Sequence, residues 1–183
     1  RPALIIAPFL KRAIPEDIWR EHLCLVVHPV IRGDRGHSAL DWAILNRETH
    51  WGVTLLQANA EMDAGDIWAH CEFPLREATK ASLYRNEVTD AAVEAVLLAV
   101  ERFQQGGFTP RPLDVADPAV RGVRRPLMRQ SDRLIDWQRD DTDEVLRNLR
   151  SADGFPGVRD HMFGREYYLY DAYVEPALRG KPG

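Results

Sequence analysis

Two residues in the chain have the type and the surroundings for proton-transfer chemistry. His28 follows the apolar run Leu23-Cys24-Leu25-Val26-Val27 and precedes Pro29, which ends strand pairing and leaves the imidazole at the carboxyl end of a strand. Ligands of open α/β sheets bind at that edge. An imidazole, with an unperturbed pKa of about 6.5, gives and takes protons near neutral pH. Position alone does not separate that role from a strand-end histidine bonded to backbone. Asp63 lies in Met62-Asp63-Ala64-Gly65-Asp66, where a carboxylate on a tight glycine loop can orient an imidazole or stabilise its protonated form, as the third member of a triad does. Taken by itself the loop reads as ordinary turn chemistry, because aspartate and glycine are common turn residues.

Other groupings point to less. His28, Asp34 and His37 offer metal-type donors but lack the helical two-histidine spacing or the cysteine pair of a metal site, so no metal is expected. Arg32-Gly33-Asp34-Arg35-Gly36 matches neither a phosphate-binding loop nor a dinucleotide fingerprint and reads as a solvated loop. Arg121, Arg124, Arg125, Arg129 and Arg133 either meet a phosphorylated acceptor or solvate a linker, and solvation is the expectation.

The elements that must position these residues follow from apolar patterning. Ala3 to Ala7 and Leu23 to Val27 read as buried parallel strands, joined by a helix that Pro15 and the acids Glu16 and Asp17 would start. So short a parallel sheet leads us to expect further strands and helices before Arg1. Ser38 and Asp41 form a weak capping box for a helix over Leu40 to Leu45, stopped near Asn46. Strands are expected over Gly52 to Gln57 and Ile67 to Phe73, flanking the Asp63 loop at a sheet edge. The longest helix is predicted from Ser82 to Phe103, ended by Gly106-Gly107. Pro110, Pro112 and Pro118 then break the pattern. A short amphipathic helix over Thr142 to Leu149 and a hairpin turning at Gly164 open a second, β-rich unit.

Composition sets limits. Apolar residues make up 45% and charged residues 28%, the balance of a globular protein, and the formal net charge of -4 offers no basic face for nucleic acid or an anionic membrane. Cys24 and Cys71 sit in apolar runs as reduced thiols. No stretch approaches the roughly 20 apolar residues that span a bilayer, and no signal-peptide pattern is present, so a cytoplasmic location is expected.

Several blocks in order resemble the formyl-tetrahydrofolate-dependent formyltransferase family: His28-Pro29, Arg35-Gly36, Ala39 with Trp42-Ala43-Ile44-Leu45-Asn46, Gly52-Val53-Thr54, Gln57 and Met62 to Ile67. Ile135-Asp136-Trp137, Arg150-Ser151-Ala152 and Phe155-Pro156-Gly157 resemble the entry to that family's C-terminal domain. The runs Ala7 to Pro15, His28 to Gly36, Gln57 to Trp68 and Ala152 to Gly157 look most like its hydrogenase-maturation branch. The resemblance implies an α/β fold: an incomplete Rossmann-like domain over 1–108, a linker over 109–133, and from 134 to 183 the start of a small β-rich, OB-like domain. It implies catalysis by His28 and Asp63, and a folate pocket at Phe9, Leu10, Arg12, Ala13 and Met62. The donor would be N10-formyl-tetrahydrofolate and the acceptor coenzyme A. The formyl-coenzyme A formed would feed carbon monoxide synthesis for a nickel-iron centre through a further, crotonase-type domain. The expected partners are these small molecules and other hydrogenase maturation proteins. One position departs: the family's asparagine falls on Val26, whose side chain has no donor for a developing oxyanion. An amine acceptor (methionyl-tRNA or an amino sugar nucleotide), a folate-binding module without turnover, and a structural domain remain as rival readings.

Overall fold

The structure is a computed structural model and describes every residue except Lys11, Val115, Pro182 and Gly183. Strand β1 (Leu4–Pro8) leads through α1 (Glu16–Glu21) to β2 (Leu23–His28), and the two strands pair in parallel. Pro15 takes the N-cap position, one residue ahead of the helix it was expected to begin. After α2 (Ala39–Leu45), β3 (His50–Gln57) and β4 (Ile67–Pro74) add to the sheet as antiparallel neighbours in the order β1-β2-β3-β4. The sheet is therefore mixed, with one parallel pair among the described strands. Residues Trp51 to Leu56 of β3 are all buried in succession rather than alternately, the mark of a strand covered on both faces.

The long helix is more articulated than its sequence period suggests. It starts at Lys80 as α3 (Lys80–Leu83), with the Thr79 hydroxyl accepting from the Ser82 amide at 3.3 Å. It passes through a π-helical turn, Tyr84–Val88, into α4 (Thr89–Gln105), and ends at Gly106. Ala91, Ala92, Ala95 and Ala99 form the buried stripe of α4 in one core with Trp51, Leu55, Trp68 and Phe73. Small side chains let the helix lie close to the aromatics of the sheet, a matter of volume rather than hydrophobicity.

Three local expectations need correction. Ser38 caps nothing with its side chain. Its hydroxyl accepts from the Met128 amide, and Asp41 is drawn off into buried ion pairs with Lys80, at 2.8 Å, and Arg133. The loop Arg32 to Gly36 is not solvated: Asp34 is buried against Arg125 at 2.7 Å. Nor is the arginine-rich segment a solvated tether. Arg125 and Arg133 are buried, and the chain between them straps back onto the sheet domain, with the Trp42 indole donating to the Pro126 carbonyl at 2.8 Å. Arg121, Arg124 and Arg129 alone of the five stay exposed. The physical reason is shared: carboxylates that local patterning leaves to caps and loops find guanidinium partners some 90 residues away.

Beyond a 3₁₀ turn at Gln130–Arg133, α5 (Thr142–Arg150) begins at a full capping box, in which Asp141 accepts from the Glu144 amide at 2.8 Å and Glu144 from the Asp141 amide at 3.2 Å. Leu149 packs on Ala152 and Val158 beneath the hairpin of β5 (Val158–Met162) and β6 (Arg165–Leu169). That hairpin turns on Phe163 and Gly164, both at positive φ (52° and 73°), as two-residue hairpin loops require. Among the described residues no helix is long and apolar enough to cross a membrane.

Candidate active site

His28 is the last residue of β2 and pairs in register with Thr54 of β3. Just beyond it the chain is pinned, because the Thr54 hydroxyl donates to the Val30 carbonyl at 2.8 Å. The loop after β3 folds back over the strand end: the Gln57 amide donates to the Asp66 carbonyl at 2.8 Å, and the Trp68 indole donates to the Gln57 side chain at 3.0 Å. Gly65 makes this fold possible, since a Cβ there would lie 1.6 Å from the Gln57 carbonyl oxygen. With the loop so held, Asp63 takes a left-handed φ of 57°, and its Oδ2 sits 3.4 Å from Nε2 of His28. Asp63, ambiguous as loop chemistry, is thus brought to the strand-end histidine.

The Asp63 carboxylate lies beside the ring without an aligned hydrogen bond, and Nε2 is buried with no hydrogen-bond partner among the described residues. Burial pushes the His28 pKa below its ordinary value, Asp63 pulls it back up, and the neighbouring His37 pushes it down again. The net direction is downward, so His28 is neutral at pH 7 and free to accept a proton.

This direction has a measurable consequence. His28 and His70 both titrate in the folded protein below the value of about 6.5 they hold when unfolded. In that window the unfolded chain binds more protons than the folded one, so stability rises with pH. The contribution is complete above about pH 6.5 and is lost as pH falls through the lower folded values. Melting curves between pH 7 and 5 should show less acid destabilisation for His28→Asn than for wild type, and equal acid sensitivity would contradict the assignment.

A cavity of about 360 Å³ opens beside the pair and is lined by His28, Asp63, Phe9, Leu10, Arg12, Ala13 and Met62 together. Every residue expected at the catalytic and folate positions therefore borders one space, within the size range of small-molecule sites. Val26 lines the same cavity, and its side chain carries no hydrogen-bond donor. Trp19 and His37 also line it. Sequence reasoning missed Trp19, although a tryptophan on the short helix after the Phe9 loop was a usable signal, and considered His37 only as a metal ligand. Asp34, the third of that trio, is committed to Arg125, and no cluster of three or more metal-binding side chains occurs among the described residues.

A second cavity, of about 510 Å³, adjoins the first at His28 and runs between Lys80, Tyr84, Met128 and Arg133. Its wall carries the Asp41 ion pairs, and Lys80 also reaches Asp153 at 3.0 Å. Burial and the nearby Asp41 and Asp153 carboxylates push Tyr84 up to about 12, so it remains a protonated donor. The Tyr84 ring meets Phe9 edge-on, with centroids 6.0 Å apart.

The fold matches that of formyltransferases, a Rossmann-like sheet followed by a β hairpin like the one that opens their β domain. A methionyl-tRNA formyltransferase from Clostridium thermocellum superposes with a TM-score of 0.70 at 15% identity, over 97% of this chain and 74% of that one. Within that class the chain is similar over its whole length to the hydrogenase maturation factors HoxX and HypX. It is 55% identical to HoxX from Bradyrhizobium diazoefficiens across 183 residues, all of this chain and 32% of HoxX. HypX from Aquifex aeolicus, crystallised in complex with tetrahydrofolic acid, superposes with a TM-score of 0.91 at 50% identity, over 100% of this chain and 31% of HypX. A methionyl-tRNA formyltransferase from Geobacter metallireducens is 25% identical over 186 residues, 100% of this chain and 58% of that enzyme. The chain thus spans about a third of the length of the maturation factors it matches. No protein-family model matches it.

Proposed function

We propose that the 360 Å³ cavity holds N10-formyl-tetrahydrofolate and that the chain transfers its formyl group to the thiol of coenzyme A. The observation that carries this reading is that two cavities both border His28, a histidine paired with a carboxylate at the end of β2. The similarity to HypX, whose crystals hold tetrahydrofolic acid, supports the donor. The walls fit that group: Phe9, Leu10, Trp19 and Met62 are apolar residues suited to an aromatic ring, and Ala58 to Glu61 line the same space.

The roles follow from the geometry. His28, neutral and basic, takes the proton of the acceptor thiol as sulfur attacks the formyl carbon. The carbonyl electrons move to oxygen, giving a tetrahedral oxyanion. On collapse the bond from carbon to N10 breaks, and the imidazolium returns the proton to N10. The products are a formyl thioester and tetrahydrofolate, with no change of oxidation state. Asp63 is a positioning residue that holds the ring and stabilises its protonated form. In the hydrogenase-maturation setting the thioester would be the precursor of a carbon monoxide ligand, released elsewhere in a longer protein that works in the cytoplasm with other maturation proteins.

The Val26 position favours one second reading, a folate-binding module without turnover. Incubation with N10-formyl-tetrahydrofolate and, in parallel, coenzyme A, charged methionyl-tRNA and an amino sugar nucleotide separates the alternatives. Formyl-coenzyme A as the product supports the proposal. A formylated amine reassigns the acceptor, and bound folate with no product selects the binding module.

A further inference from the structure

Among the described residues, five border both cavities: Phe9, Leu10, His28, Pro29 and His37. Phe9, Leu10 and Pro29 have hydrocarbon side chains that neither give nor take a proton. The boundary shared by the two cavities has, among the described residues, two imidazoles as its only side-chain hydrogen-bonding groups.

The two are held differently. His28 is largely buried and its Nε2 faces Asp63, whereas the His37 imidazole is exposed. Its mount is nevertheless stiff. Gly36 lies so close to the strap that a Cβ there would meet the Arg125 carbonyl oxygen at 2.4 Å, the Arg125 amide donates to the Arg35 carbonyl at 2.8 Å, and Ser38 is tied through its hydroxyl to the Met128 amide at 3.1 Å. The backbone on either side of His37 is anchored while its ring is free to meet a ligand.

The chemistry calls for an oxyanion donor where the two cavities meet. As sulfur attacks, the formyl oxygen becomes an oxyanion and needs a donor aimed at it, and Val26 supplies none. His28 is occupied with the proton that leaves the thiol and returns to N10. We propose that His37 is a second catalytic residue, donating an imidazole N–H to the formyl oxygen as it gains negative charge at the seam between the two cavities. One N–H covers the requirement in either tautomer.

This inference rests on the formyl-transfer reading, and its test keeps the two apart. Single-turnover transfer from N10-formyl-tetrahydrofolate to coenzyme A is measured in the full chain for wild type, His28→Ala, His37→Ala and His37→Asn, with tetrahydrofolate affinity measured alongside. His37→Ala should lower the rate roughly 100-fold, the effect of removing one oxyanion donor. Folate affinity should be unchanged, and His37→Asn, whose amide can donate, should recover part of the rate. If wild type transfers, His28→Ala does not, and His37→Ala stays within about twofold of wild type, His37 is a bystander and the proposal fails alone. It fails equally if His37→Ala loses folate affinity in proportion to rate, which makes the role one of binding. No transfer by wild type would remove the formyl-transfer reading itself.

Discussion

His28→Ala is expected to lower formyl transfer by about 10²–10⁴-fold, the range that general acid–base catalysis supplies. The loss should fall on kcat, with tetrahydrofolate affinity nearly unchanged, because the walls that would grip the folate ring come from Phe9, Leu10, Trp19 and Met62 and not from the imidazole. Removing His28 also leaves Asp63 without its partner in a half-closed loop. His28→Gln, which keeps volume and polarity, therefore controls for collapse of the loop and should be as inactive as the alanine variant. A rate within tenfold of wild type in both variants would mean that the proton travels another way.

The largest stability effect is expected at a distance from the chemistry. Asp34 has a fully buried side chain whose carboxylate accepts from Arg125 at 2.7 Å and from the Arg35 amide at 3.0 Å. Burial pushes this carboxyl above the usual range while Arg125 pulls it down, so the pair is held by geometry rather than by a large net attraction. Asp34→Ala strands the Arg125 guanidinium, itself almost wholly buried, with only Glu48 at 3.4 Å and the Trp51 ring beneath it. The cost should be about 3 kcal/mol, the low end of the range for breaking a buried pair, because Glu48 remains. In a domain of this size that is roughly a 10 °C fall in Tm. The double variant Asp34→Ala with Arg125→Met should melt above the single variant, since it removes the uncompensated charge along with its partner. A double variant less stable than the single one would show that Arg125 packs the strap by some other means.

Much of the site was legible because it is local. A histidine between a buried strand and a proline can only stand at a strand end, and His28 does. The hairpin at Gly164 and the stop at Gly106 follow from backbone rules that need no tertiary information. Asp63 lies at the limit of such reasoning. Its own loop reads as a turn, and only a resemblance in ordered blocks singled it out before the fold carried it to 3.4 Å from His28.

The illegible part is long-range and electrostatic. Nothing near Asp41 announces Arg133, and the capping box expected at Ser38 gave way because a buried carboxylate gains more from Lys80 and Arg133 than a cap bond returns. For the same reason Arg125 and Arg133 depart from the solvation expected of the arginine-rich segment, which Arg121, Arg124 and Arg129 keep: charge runs usually are solvated, and the exceptions depend on carboxylates that the fold buries. His37 shows a third kind of limit. Its place on the seam is a property of two cavities, and no sequence period encodes a cavity.

On the proposed reading, the space beside His28 and Asp63 delivers a formyl group to a thiol. Its most direct test follows a radiolabelled formyl carbon from N10-formyl-tetrahydrofolate, in the presence of coenzyme A, through a single turnover of the full chain. The label should leave the folate and appear in a thioester, one equivalent per site, at a rate that falls with His28→Ala. Label that stays on bound folate at every time point would contradict it.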